Sequence, residues 1–346
     1  MKKCIIYGGT GQDASYLSEF LLEKEYEVHS IIRRSSIHNT GRIDHLINNK
    51  EIYNKTFYIH FGDICDSSSN YHLINTIQPD EIYDLCAQSD VKISFDISEA
   101  TCEVNAMGTL KLINAIKEIN KDIKFYFANT SELFGEVNCL EAQNENTPFN
   151  PCSPYAVSKL FSYYMVKNYR EAYNMFLVNG ILFNHTSPRR GENFVSRKIT
   201  KAVANIVIGK QEKLSLGNIY SKRDFGYSKD YAEGMWMMLQ QDKPIDYVLA
   251  TQETHNIKEF IELAFGEVNI ALIWNGEGIN EKAYDAKTNK LLVDIDSQYF
   301  RPTEVPYLLG DSSKAQRELG WSPKTSFEEL VKIMMDYDLA LVQGGN

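Results

Sequence analysis

The chain has 346 residues, of which 43% are hydrophobic and 24% charged, with a formal net charge of −10 at pH 7. That length suits one large domain or two modest ones, and the balance is that of a globular protein. The acidic total argues against unspecific binding to nucleic acid or an anionic membrane surface, and no apolar run is long enough to cross a bilayer. Met1-Lys2-Lys3 leads directly into a short apolar strand, so a cytoplasmic protein without a membrane partner is expected. The six cysteines (Cys4, Cys65, Cys86, Cys102, Cys139 and Cys152) lack the paired spacing of a zinc or redox site. They read as reduced thiols, and no metal is expected.

Lys3–Tyr7 reads as a buried strand that ends in Gly8-Gly9-Thr10-Gly11-Gln12-Asp13-Ala14, after which Tyr16, Leu17, Phe20 and Leu21 recur at helical spacing. Strand, glycine loop and helix are the context of a dinucleotide-binding turn. Gly8 lets the chain turn, Gly11 lets the backbone approach a pyrophosphate, and Ala14 is small enough for helix–strand contact. An ordinary strand-to-helix turn is the rival reading of the glycines. The second strand, Glu27–Ile32, ends in Arg33-Arg34-Ser35-Ser36. An acid at this place would hold the ribose of NAD, whereas arginines and hydroxyls suit the 2′-phosphate of NADP.

Phe57–Phe61 is a third strand, followed by Gly62-Asp63-Ile64 where an adenine could lie. A fourth strand, Glu81–Cys86, flows into Ala87-Gln88-Ser89. A long helix from about Glu99 to Ile119 and a fifth strand, Ile123–Ala128, come next. Strands alternating with helices in this way imply an α/β fold: a Rossmann-type doubly wound parallel sheet. The fifth strand ends in Asn129-Thr130-Ser131-Glu132, and ligands of open parallel sheets sit beyond the carboxyl ends of the strands.

A loop from Phe134 to Pro151 leads to Ser153-Pro154-Tyr155-Ala156-Val157-Ser158-Lys159, a capped helix start that continues to about Tyr173. Tyr155 and Lys159 share a helix face, and an ammonium beside a phenol favours the phenolate of a group that otherwise titrates near about pH 10. The same spacing also occurs on ordinary solvated helices. A sixth strand covers Phe176–Leu182. Beyond it the pattern loosens into basic loops, a helix from Ser196 to Ile208, a helix with Trp236 and Met237, a strand at Asp246–Ala250 and a final helix from Phe327 to Leu341. This part reads as a smaller C-terminal α/β substrate lobe whose arginines could clamp a phosphate-bearing ligand. The expected domains are 1–182, with returning segments around 216–255, for NADP, and mainly 183–346 for the substrate.

These strings together resemble an extended short-chain dehydrogenase/reductase, and within that superfamily the GDP-mannose 4,6-dehydratases. Gly8-x-x-Gly11 and Tyr155-x-x-x-Lys159 carry the superfamily. Arg33-Arg34-Ser35-Ser36, Asn39-Thr40-Gly41-Arg42-Ile43, Thr130-Ser131-Glu132-Leu133, Asn184-His185, Ser187-Pro188-Arg189-Arg190-Gly191, Arg223-Asp224 and Tyr299-Phe300-Arg301-Pro302-Thr303-Glu304 carry the family. The resemblance implies Thr130, Glu132, Tyr155 and Lys159 as catalytic residues. It implies Gly8, Thr10, Gly11, Gln12, Asp13, Arg33, Arg34, Ser35, Asp63, Ile64, Leu85, Ala87, Gln88, Ser89, His185 and Arg190, with Tyr155 and Lys159, as the NADP site. Ser131, Asn184, Val195, Lys198, Gly217, Asn218, Arg223, Arg301 and Glu304 are the implied GDP-sugar site.

A homotetramer built as a dimer of dimers is implied as well, because the loop after the second strand reaches a neighbouring subunit in the family. The chain departs from the family at Ala14 (usually Gly), Asp90 (His), Ala100 (Tyr), Cys152 (Arg), Thr186 (Glu) and Tyr227 (His). Cys152 and Thr186, both truncated, are expected to border the sugar's far end, leaving GDP-mannose and its homologue GDP-manno-heptose as candidate substrates. Two rivals stay open: a nucleotide-sugar C4 epimerase or reductase, which needs no acid at Glu132, and a non-enzymatic NADP-binding regulator, which would be free to lose Tyr155 or Lys159.

Overall fold

The computed structural model describes residues 1–136, 141–300 and 302–344. Strands β1 (Lys3–Tyr7), β2 (Glu27–Ile32), β3 (Phe57–Phe61), β4 (Glu81–Asp84), β5 (Lys124–Thr130), β6 (Leu177–Leu182) and β7 (Tyr247–Leu249) form one sheet. Their order is β7-β6-β5-β4-β1-β2-β3. All six pairings are parallel. This is the Rossmann order with a seventh strand added beside β6.

Alternation along the strands explains why the sheet is buried on both faces. Cys4, Ile6, Val28, Tyr83 and Tyr126 pack with Leu17 and Leu21 of α1 (Gln12–Glu23). Ile5, Tyr7, Ile31, Ile82, Phe125 and Phe127 pack instead with Leu112 and Ile116 of α2 (Thr109–Ile119) and Val166 of α3 (Pro154–Tyr173). Successive side chains point to opposite faces, so near-continuous apolar strands fill both layers.

The first three strands have the expected bounds. β4 stops at Asp84, short of the expected Cys86, because the Asp84 carboxylate itself accepts the Cys86 N–H. β5 runs on to Thr130, which pairs with Leu182 of β6, so Thr130 belongs to the strand rather than the loop. The helix expected from Glu99 is interrupted by a π-helical segment, Glu103–Gly108, ahead of α2. Such segments recur at functional sites, and this one carries the buried Asn105.

Between β6 and β7 the chain passes through α4 (Val195–Val207) and α5 (Ser228–Leu239). α5 returns to the main sheet with Tyr231, Met235 and Met238. α4 belongs to a second core, where Ile199 and Val203 meet Phe260, Phe327, Leu330 and Met334. Over this core lies a sheet of four strands that the sequence did not announce, in the order Leu272–Asn275, Lys282–Asp285, Leu291–Ile295 and Leu214–Leu216. Among the described residues no helix is long and apolar enough to cross a membrane.

Candidate active site

The carboxyl ends of the main-sheet strands open onto a cavity of about 640 Å³. Its floor is the first turn. Gly8 has φ +79°, and a Cβ there would stand 2.9 Å from the Leu85 carbonyl oxygen. No other residue fits that conformation and that approach together. The Gly11 N–H closes the turn on the Gly8 carbonyl at 2.8 Å, and Gly11 then starts α1, whose N-terminus faces the cavity.

Gly8, Thr10, Gly11, Gln12, Asp13, Arg33, Asp63, Ile64, Leu85, Ala87, Gln88, Ser89, Tyr155, Lys159, His185 and Arg190 all line this one cavity. They come from the ends of five strands and from α3. Arg34 and Ser35 are the exceptions among the expected cofactor residues. The Arg34 guanidinium lies 5.5 Å from the centre of the Phe61 ring, and the Ser35 hydroxyl accepts the Ile37 N–H. Arg42 and Phe194, not expected as cofactor contacts, also line the cavity. Arg42 donates to the Thr10 and Arg189 carbonyls, a fold-back that nothing in its own segment announces.

The side chains of the first turn are held from across the cavity. His185 places its two ring nitrogens on the Phe183 carbonyl and the Asp13 carboxylate. Burial works to raise the Asp13 carboxyl, but His185, Arg190 and Gln12 together hold it below its ordinary value. The residues fit a nicotinamide dinucleotide on a second count: the side-chain carbonyls of Gln88 and Asn184 are buried, line the cavity and lack a hydrogen-bond partner. A ligand's amide or hydroxyl donors would complete them.

Tyr155 and Lys159 start α3 behind Ser153, whose hydroxyl accepts the Ala156 N–H while Pro154 occupies the first helical position. Both side chains are buried. At the Tyr155 phenol the shifts come from other neighbours than Lys159. Burial pushes the phenol up to about 12, Thr130 and Arg190 draw it down, and Glu132 adds to the rise. The Lys159 ammonium donates instead to the Ala128 carbonyl at 2.8 Å, and burial lowers it to about 8 against the pull of Asp84 and Cys86.

Asn105 of the π-helical segment braces this corner. Its side chain accepts the Gln88 N–H and donates to the Gln88 carbonyl and the Ser158 hydroxyl. Thr130 and Ser131 line the cavity, and the Thr130 hydroxyl accepts the Glu132 N–H at 3.2 Å. Glu132 stands one residue further on, in the short turn Ser131–Leu133, close enough to the phenol for its charge to be felt there.

The expected sugar-nucleotide residues are less concentrated. Asn184 lines the cavity, while Val195 and Lys198 belong to the first turns of α4 behind the cavity-lining Phe194. The Lys198 ammonium donates to the Ser215 carbonyl and lies 3.4 Å from the centre of the Tyr299 ring. A Cβ on Gly217 would meet the Tyr299 carbonyl at 2.8 Å, so Gly217 lets that segment close down. Asn218 bonds Ser221, and buried Arg223 donates to Glu304 at 2.8 Å. Arg301 lies outside the described residues. Of the departures from the family, Ala100 lines the cavity. Cys152 and Thr186 are not among the residues lining this cavity: Cys152 packs against the cluster that includes Phe134 and Phe183, and the Thr186 hydroxyl is buried against Ser196 at 2.7 Å.

A doubly wound parallel sheet, a glycine turn at its first strand and a Tyr-x-x-x-Lys helix converging on one cavity define an extended short-chain dehydrogenase/reductase. Within that class the chain belongs to the GDP-mannose 4,6-dehydratase family, whose profile matches residues 5–334. It is 53% identical over 345 residues to the GDP-mannose 4,6 dehydratase of Drosophila melanogaster, covering 99% of this chain and 87% of that one. To the enzyme of that name from Homo sapiens it is 51% identical over 342 residues, covering 98% and 92%. Among solved structures, a dTDP-glucose 4,6-dehydratase from Bacillus anthracis in complex with NAD superposes with a TM-score of 0.80 at 18% identity, covering 97% of this chain and 96% of that chain.

Proposed function

We propose that the chain converts GDP-mannose to the 4-keto-6-deoxy sugar with loss of water, using NADP. The observation that carries this reading is Glu132 in the turn just past Thr130, with its charge felt at the Tyr155 phenol. A C4 epimerase or a simple reductase needs no carboxylate there, whereas elimination across C5 and C6 does.

Bound NADP⁺ supplies the hydride acceptor for C4, the donor for C6 and a positive charge that favours the phenolate. Tyr155 takes the proton of the sugar 4-hydroxyl, and Thr130 donates a hydrogen bond to that oxygen as it becomes a ketone. The ketone acidifies the C5 proton, which Glu132 removes. Protonated Glu132 then returns that proton to the departing 6-hydroxyl, which leaves as water. Tyr155 then gives the proton it took from the 4-hydroxyl to C5 as hydride returns to C6, so phenolate and carboxylate are both restored. Arg33 beside the cavity, with Arg34 and Ser35 next to it, supports NADP over NAD.

Residues 1–182 with the returning stretch 216–255 read as the cofactor domain, and 183–346 mainly as the sugar-nucleotide lobe. Arg223, Glu304, Lys198, Val195, Gly217, Asn218 and Arg301 are assigned to the GDP-sugar. A homotetramer is supported by two exposed features. Val157, Phe161 and Tyr164 form an apolar stripe along α3 beside Ile97 and Met107, a face suited to a second copy, and Ile37 stands 77% exposed on the loop after β2. The free thiols of Cys4, Cys65, Cys86, Cys102 and Cys152 accord with a cytoplasmic setting.

GDP-manno-heptose is the second reading for the substrate, favoured by one observation: cavity-lining Ala100 stands where the family usually has tyrosine, leaving room for one more hydroxymethyl group. Incubation with each GDP-sugar, followed by mass measurement, tests the assignment. Loss of one water is expected, with the ratio of kcat/KM values choosing the sugar. A product of unchanged mass would point to an epimerase.

A further inference from the structure

Asp84, the last residue of β4, is a fully buried acid that the proposed reaction does not use. One of its carboxylate oxygens accepts from the Thr109 hydroxyl at 2.9 Å, the other from the Cys86 N–H at 3.1 Å. An ionised carboxylate has room for about four donors, so two leave it underserved. Burial accordingly raises the carboxyl to about 6, against the pull of Lys159, Thr109 and Cys86. The compensating charge lies on α3, against the neighbouring strand β5. Asp84 stands opposite Phe127 in the β4–β5 register, and the Lys159 ammonium lies 4.5 Å from the centre of the Phe127 ring while donating to the Ala128 carbonyl.

The other titratable groups around Lys159 offer it less. The Cys86 thiol is raised well above its ordinary value by burial, and the Tyr7 phenol on β1 is raised by burial, Cys86 and Asp84. Asp63 and Arg33 act on Cys86 with opposite signs, and Tyr155 lies one turn away on α3.

We propose that Asp84 is the counter-ion that keeps Lys159 an ammonium in a dry site, and that it thereby sets the alkaline limit of the Tyr155–Lys159 pair. Asp84 touches neither substrate nor cofactor in this scheme; it is a positioning residue acting through Lys159. The inference rests on the reading of Tyr155 and Lys159 as the acid–base pair. Its sign is fixed. A negative charge favours the protonated lysine, so neutralising Asp84 must lower the pH at which Lys159 loses its proton. An opposite charge at about 4–6 Å is worth about 1–3 pH units, and from the neighbouring strand about one unit, the low end of that range, is expected.

The test titrates Lys159 directly in NADP-loaded, ¹³C-lysine-labelled full-length protein, with Lys159→Arg identifying the resonance. Asp84→Asn should move the Lys159 midpoint down by about one pH unit and shift the alkaline limb of the kcat profile with GDP-mannose by the same amount. A merely structural Asp84 would scale activity at every pH and move neither. An unchanged Lys159 midpoint in Asp84→Asn overturns the proposal. Should that variant not fold, Thr109→Val decides. It removes a donor from the carboxylate, so Asp84 ionises at higher pH and the Lys159 resonance feels that step later. A Lys159 titration superimposable on wild type overturns the proposal there. Wild-type protein that removes no water from either GDP-mannose or GDP-manno-heptose would sink the dehydratase reading instead, while the Lys159 midpoints still judge Asp84.

Discussion

The cofactor side and the sugar-nucleotide side of this molecule are built on different terms. Around the cavity, residues from five strand ends and α3 converge because the parallel sheet leaves them no alternative: once β1, β2, β4 and β5 are in register, their carboxyl ends must meet. On the other side, Lys198, Gly217, Asn218, Arg223 and Glu304 sit on loops, short strands and the start of α4. Arg223 donates to Glu304, Lys198 to the Ser215 carbonyl and Asn218 to the Ser221 hydroxyl. The first site is preorganised by topology. If the second binds the GDP-sugar as proposed, its residues must exchange these internal partners for the ligand, and each is expected to contribute less to affinity.

The sharpest break in that contrast should come at the seam. Glu132→Gln is expected to leave NADP bound but to lower formation of the 4-keto-6-deoxy product by about 10²–10⁴-fold or more, since acid–base groups contribute on that scale and this one serves twice. Near-normal product would remove Glu132 from the mechanism. Arg33→Glu tests the cofactor side through charge. Losing a bond to a charged group costs about 1.5–3 kcal/mol, so NADP affinity should fall by roughly 10–100-fold while NAD affinity holds or rises, read by fluorescence titration of both dinucleotides.

Gly8→Ala tests the same side through shape. Its left-handed φ and the nearby Leu85 carbonyl make a strain of about 1–2 kcal/mol, seen as roughly 5–30-fold weaker retention of NADP on gel filtration. The smallest effect belongs to the lobe. Lys198→Met should raise KM for GDP-mannose by roughly 2–10-fold with kcat and bound NADP unchanged, the worth of one ordinary hydrogen bond. If Lys198→Met instead stripped the cofactor, the two sides would not be separable.

The same contrast decides what the sequence could disclose. Gly8, Gly11, Tyr155 and Lys159 were legible because their chemistry is local: a turn that needs a missing Cβ, and two groups one helical turn apart. Asp84 and Arg42 were not, because each acts on a partner in another segment that only the folded sheet brings near. The four-stranded sheet of the second core was missed for a related reason. Leu272–Asn275 and Lys282–Asp285 are short, mostly polar or half-exposed, and separated by glycine and asparagine, so period-two patterning barely develops. Cys152 and Thr186 mark the limit of adjacency: both neighbour cavity residues in sequence, yet neither lines that cavity, and the Thr186 hydroxyl is buried against Ser196.

The insertion of α4 and α5 between β6 and β7 has a temporal side. While the chain is being made, β6 lies at the rim of the growing sheet with an unpaired row of amides until residues 183–246 have emerged and β7 can dock. At about 5–20 residues per second that interval is roughly 3–13 s, long for an apolar edge. The residues lining that edge, from Leu177 to Leu182, are fully buried in the finished protein. A nascent chain stalled in this window should therefore recruit chaperones more strongly than one stalled just after β7, and ribosome-bound chains of the two lengths would show whether it does.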